Sequence, residues 1–131
     1  MATYNKFTPA VENLLEGINA GSDTWAIKLG TAVNQGAGTF TEVSNGNGYT
    51  TGGVTLSISS ATQSSGTYSL IFTTPADPTW TASGAGFSFQ YVILADTTAG
   101  VNVGYWDYGS SQAVASGEKV TVTLTTAFTV T

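Results

Sequence analysis

The chain has 131 residues, three lysines, no arginine, no histidine, no cysteine and a net charge of −5. That length suits one domain over residues 1–131. The missing His and Cys exclude a zinc finger, a His- or Cys-based nucleophile system and a haem axial His, and so few cations argue against nucleic acid or an anionic membrane as a partner.

The first predicted element is a helix over about residues 8–18. Phe7, Val11, Leu14, Leu15 and Ile18 form one apolar stripe at helical period. Thr8 suits the N-cap and Pro9 the first helical position, where its missing N–H costs nothing. Glu12 favours the dipole, and the helix is expected to stop between Gly17 and Gly21. At about three turns it is too short to stand alone, so its stripe must dock on this domain or on a neighbouring subunit.

Strands follow. Trp25, Ile27 and Leu29 alternate with Thr24, Ala26 and Lys28. Val54, Leu56 and Ile58 alternate with Thr and Ser, as do Val120, Val122 and Leu124 with Thr. Phe87, Phe89, Tyr91 and Ile93 keep the same period of two. Apolar-in, Thr-out alternation marks half-buried antiparallel strands, and β-branched Thr adds strand propensity without extra apolar surface. Weaker strands are expected at 39–43, 67–73, 79–82, 101–107 and 127–130. Turn signals separate them: Asn45-Gly46-Asn47-Gly48, Gly52-Gly53, Ser64-Ser65-Gly66, Pro75-Ala76-Asp77-Pro78, Ser83-Gly84-Ala85-Gly86, 96–100 and Ser116-Gly117. The fold class is therefore mainly β: a single antiparallel β-sandwich, jelly-roll-like, with one short N-terminal α-helix.

Only 8% of residues are charged, against about 25% in an average soluble domain. Ser, Thr and Gly make up 52 of the 131, while 41% hydrophobic and 11% aromatic residues suffice for a core. The first twenty residues do not read as a secretory signal, and no stretch is long and apolar enough to span a bilayer. If the chain is complete at Met1, it is expected to stay in the cytosol. Its polar, weakly charged surface instead suits an extracellular protein. A virion component, assembled in the host cytoplasm and exposed after lysis, meets both conditions. A mature secreted fragment with an added start Met is the alternative.

Chemistry is sparse. Asp96, Asp107 and Glu118 could supply a glycosidase pair, but nothing in their spacing joins them. Asp107 is expected to be a strand-end or turn residue, either solvated or capping a backbone N–H. Asp96 or Asp77 could help bind calcium, yet no calcium-loop pattern is present, so neither a metal nor another cofactor is expected. Ser and Thr have no His to activate them; no catalytic residue and no enzyme activity are expected. Trp25 reads as core, and Trp80 as core or rim. Tyr105, Trp106 and Tyr108 are consecutive or alternate residues of one strand, so one face points away from the core, where aromatics commonly anchor interfaces, unless a loop or the helix buries both faces.

Several segments together resemble one family. They are Met1-Ala2-Thr3-Tyr4-Asn5-Lys6-Phe7, Val11-Glu12-Asn13-Leu14, Gly46-Asn47-Gly48-Tyr49-Thr50, Ser65-Gly66-Thr67-Tyr68, Tyr91-Val92-Ile93-Leu94 and Gly104-Tyr105-Trp106-Asp107-Tyr108-Gly109. Over nearly its whole length the chain is similar to small structural proteins of tailed-bacteriophage virions, of the capsid decoration or cement type. The N-terminal heptad and the Gly-Tyr-Trp-Asp-Tyr-Gly segment are the most specific pieces. The resemblance implies a protein of the capsid exterior that binds the major capsid protein and bridges its subunits, and a homo-oligomer is expected because sheet edges without charged guards invite pairing or coverage. It implies no catalytic residue. The expected contact residues are Tyr4, Phe7, Val11 and Leu14 near the N-terminus, and Tyr105, Trp106 and Tyr108. A tail or fibre component, or a glycan-binding adhesion module, is the alternative.

Overall fold

The computed structural model describes residues 2–74, 77–124 and 128–130, with Leu15, Thr73, Thr74 and residues 128–130 described by backbone alone. The expected roles of Met1, Pro75, Ala76, Thr125, Ala127 and the Leu15 side chain lie outside that description. The elements run β1 (Thr3–Lys6), α1 (Ala10–Glu16), β2 (Trp25–Asn34), β3 (Thr39–Glu42), β4 (Val54–Ser64), β5 (Thr67–Thr74), β6 (Thr79–Thr81), β7 (Phe87–Asp96), β8 (Val101–Val114), β9 (Lys119–Thr121) and β10 (Phe128–Val130). The protein is mainly β, a curled antiparallel sheet with sandwich-like packing and one short helix.

One sheet runs β1-β8-β7-β2-β4-β5-β10, with β3 pairing β2 beside this path; β6 and β9 form a separate two-stranded ribbon. Strand β2 carries β4 along residues 25–27 and β3 along residues 30–34, and a register shift separates Gly30 from Ala32. Further shifts interrupt β4 between Ser57 and Ser60. Such irregularities bend a strand and increase its twist, which lets one sheet fold over a core. The β4–β5 hairpin closes on Ser65 and Gly66, both at positive φ (50° and 81°), the backbone expected of a tight two-residue turn.

Residues directly opposite one another on paired strands share a face. Trp25, Ile27 and Leu29 oppose Asp96, Leu94 and Val92, and this set forms the centre of one face. All three β2 side chains are fully buried. Trp25 packs against Phe72 at 5.6 Å between ring centroids, and Tyr49 stacks on Trp80 of the ribbon at 5.9 Å. Trp80 is therefore core. Gly48 must be glycine here. Its φ is +98°, and a Cβ would run into the Thr81 backbone where loop and ribbon meet.

The opposite face is covered from the N-terminus. Phe7 donates its N–H to the Val103 carbonyl (3.0 Å) and packs its ring on Tyr105 at 5.0 Å. Phe7 and Ala10 are buried, while Val11 is 49% exposed and Leu14 half-buried. This corrects the expected helix in three ways. The helix is only Ala10–Glu16, with Pro9 at the N-cap and no side-chain cap. Phe7 belongs to the end of β1's pairing, so the inward face is set by Phe7 and Ala10 and turns Val11 outward. The stop comes at Glu16, just ahead of the expected stretch from Gly17 to Gly21, and the Asn13 carbonyl there accepts both the Gly17 and the Ile18 N–H at 2.9 Å.

A second correction concerns β7. Phe87, Phe89, Tyr91 and Ile93 do not share one face. The register jumps from Phe89 opposite Gln112 to Tyr91 opposite Asp107, leaving residues 108–111 of β8 looped out across from Gln90. The bulge reverses the phase of the alternation. Phe87 packs on Tyr49 and Phe89 on Tyr108, whereas Tyr91 packs on Tyr105 on the other face. Beyond the bulge Val92, Ile93, Leu94 and Ala95 are all buried, because both faces are covered there.

Candidate functional site: the β1–β8 aromatic margin

The heptad at the N-terminus and the Gly-Tyr-Trp-Asp-Tyr-Gly segment are a hundred residues apart in sequence and hydrogen-bonded neighbours in the fold. Thr3 pairs with Asp107, Tyr4 with Trp106, Asn5 with Tyr105 and Lys6 with Gly104. Strand β1 is the last on its side of the sheet path. Its four residues, Thr-Tyr-Asn-Lys, show no apolar alternation, so sequence reading had no period-two signal for a strand here.

Tyr4 and Trp106 stand on one face, ring centroids 5.1 Å apart and tilted by 58°. Tyr4 lies across Gly104, where the lack of a side chain opens the space its ring and hydroxyl occupy. Burial against that strand pushes the Tyr4 phenol up to about 12. Tyr108, two residues along the strand from Trp106, edges onto Phe89 at 5.7 Å and remains 46% exposed. Tyr4 is 38% exposed and Trp106 half-buried. Together the three form an accessible aromatic strip at the sheet margin. Aromatics of this kind carry large contact area at low entropic cost.

Asp107 holds the margin's shape. Its Oδ1 accepts the Gly109 N–H at 2.7 Å and the Gln90 side-chain amide at 3.0 Å, fastening the looped-out residues 108–111 to β7. That is the capping role expected from sequence. Glu118 and Asp77 likewise accept backbone N–H groups, those of Ala115 and Leu124 respectively. Asp96 is buried at the far end of β7. Among the described residues no group of three or more His, Cys, Asp or Glu side chains could hold a metal, and no helix is long and apolar enough to cross a membrane.

Of the seven expected contact residues, the fold brings Tyr4, Trp106 and Tyr108 together at the surface. Phe7 and Tyr105 are core residues instead, packed on each other beneath α1, because they fall on the covered face of the same two strands. Val11 and Leu14 belong to α1 rather than to the strip. A polar node was missed altogether. The Glu42 Oε1 accepts both the Tyr49 hydroxyl and the Gly52 N–H at 2.6 Å, and the Tyr49 hydroxyl accepts the Leu29 N–H at 3.2 Å. Burial, and the hydrogen bond to Glu42, hold the Tyr49 phenol far above its ordinary range. Nothing in sequence marks Glu42 and Tyr49 as partners across a loop.

Compared with family models, curated proteins and solved structures, the chain matches none.

Proposed function

We propose that this chain is a decoration or cement protein of a tailed-phage head. It binds the outer capsid surface, bridges neighbouring major capsid subunits and so stabilises the shell. Anything that binds only one state of the shell favours that state by mass action, and many weak contacts on a lattice add through multivalency. The observation that carries the proposal is the pairing of Tyr4 with Trp106. The two segments most specific to the phage-protein resemblance are adjacent strands that present one accessible aromatic strip. The end strands β1 and β10 also offer backbone edges through which copies of the chain can associate as a homo-oligomer.

Removing residues 1–18 would be a poor test, since it takes Phe7 out of the core. Surface substitutions avoid this. Purified protein is mixed with expanded phage heads lacking it, and binding is read by co-sedimentation and by imaging of the particles. Wild type is expected on the outer shell, with Trp106→Ala and Tyr108→Ser each weakening binding by roughly tenfold or more, as interface anchors do. Density confined to the tail, or unchanged binding by both variants, would overturn the proposal. The same tilted Tyr4–Trp106 pair could stack on a sugar ring. A glycan-array signal that survives high salt and vanishes in Trp106→Ala would favour an adhesion module instead.

A further inference from the structure

Among the described residues Asp96 is the one charged residue in the core: its side chain is 0% exposed. It ends β7 opposite Trp25, the first residue of β2. Asp23, two residues before Trp25, therefore reaches the same corner of the sheet from the diagonal position. The Asp96 Oδ1 accepts the Ala99 N–H at 2.9 Å and the Thr98 N–H also acts on the carboxyl, both favouring its charged form, whereas Oδ2 is buried without a hydrogen bond of good geometry. What faces Asp96 is the carboxyl of Asp23, close enough for a hydrogen bond between the two side chains. Asp23 is itself held in place, its Oδ2 accepting the Asn19 N–H at 2.8 Å.

The backbone around the pair is tightly joined. Both the N–H and the hydroxyl of Thr97 donate to the Thr24 carbonyl, at 2.8 and 2.9 Å, and the Thr24 N–H donates to the Thr98 hydroxyl at 2.9 Å. The two carboxyls are thus set against each other by the chains that carry them. Two ionised carboxylates at such range repel strongly out of water, and a buried acceptor without a donor is costly. Among the described residues Asp23 is the single charged side chain acting on Asp96.

We infer that Asp96 holds a proton and donates it from Oδ2 to the facing Asp23 carboxyl, forming an acid-stabilised clasp between the loop entering β2 and the turn leaving β7. The proton gives the Asp96 Oδ2 its missing hydrogen bond. Desolvation first, and then the Asp23 carboxyl, raise the Asp96 pKa above its ordinary value, as the clasp requires. A carboxyl raised in the folded state stabilises the fold fully below its unfolded pKa of 3.8, and that stability drains away as pH rises through the folded pKa. The clasp is therefore tight in acid and strained once Asp96 ionises. It stands independently of the proposed function, since neither residue belongs to the aromatic strip.

Thermal unfolding of the full chain from about pH 3 to about pH 8, beside carboxyl-carbon NMR of the same protein, tests the clasp. In the wild type the Asp96 carboxyl is expected to titrate above the ordinary Asp range. Asp96→Asn should lose the fall in melting temperature that accompanies this titration, because the amide supplies the hydrogen bond at every pH, and Asp23→Asn should shrink it, since burial alone still acts on Asp96. Near neutrality either variant should melt at or above the wild-type temperature. An Asp96 carboxyl titrating in or below the ordinary range would overturn the inference, as would an unchanged pH dependence in both variants. So would a rise in wild-type melting temperature on adding calcium chloride that both variants lack, since a cation and not a proton would then join the pair.

Discussion

Trp25 and Trp106 both stand across from β7, opposite Asp96 and Val92 respectively, and on the same face of the sheet. Trp25 is sealed beneath Phe72, whereas Trp106 lies half-open beside Tyr4. The difference is not residue type or strand propensity. It is position in the strand order. The sheet curls back over β2, bringing β5 across it, while β8 has only the short end strand β1 beyond it. The same aromatic side chain is a core residue at the centre of a curled sheet and a surface feature at its margin.

The largest way to break this comparison is at its buried end. Trp25→Ala should cost about 3–5 kcal/mol of stability in denaturant unfolding, because it empties a fully buried site beside Phe72. A loss as small as that of a surface change would mean that the centre is as open as the margin. Tyr49→Phe comes next. It leaves the Leu29 N–H without its acceptor and the Glu42 carboxylate with one donor fewer, an expected loss of about 1–3 kcal/mol by the same measurement.

The margin should yield less. Gly104→Val puts a side chain where Tyr4 lies, so β1 should loosen at a cost of about 1 kcal/mol, the low end for overpacking. Faster amide exchange confined to residues 3–6 would locate the effect, whereas protection lost throughout the sheet would show that β1 is integral to the core. The smallest effect is at high pH. The Tyr4 phenol rises from 10.0 to about 12 on folding, so the neutral form is the one the fold favours. Stability should then be intact below 10 and decline as pH climbs toward 12, with a late phenolate absorbance step that Tyr4→Phe removes.

How much was legible differs along the same lines. Trp25, Ile27 and Leu29 announced a buried strand because one uninterrupted face of β2 meets the core. Ser65-Gly66 announced its turn because two positive φ angles need such residues. Strand β1 was not legible, since Thr-Tyr-Asn-Lys becomes a strand only when β8 supplies its hydrogen bonds. Nor was the bulge at residues 108–111, which flips the phase of β7 and separates Phe89 from Tyr91. Among the expected contact residues, Tyr4 and Phe7 part company. Their odd spacing in an extended segment sends one to the surface and the other into the core.

By itself, the sequence determined the material: period-two alternation with Thr outside, glycine at the turns, one short helix, and no His, Cys or Arg for chemistry. Those are local properties, fixed by side-chain shape and by which φ angles each residue tolerates. Only the tertiary structure decided which aromatics are covered, that residues 3–6 and 104–107 lie side by side, and that Asp23 meets Asp96. Each of those depends on the order in which strands pair and on where the sheet bends. Both come from contacts between residues far apart in the chain, which no local pattern encodes.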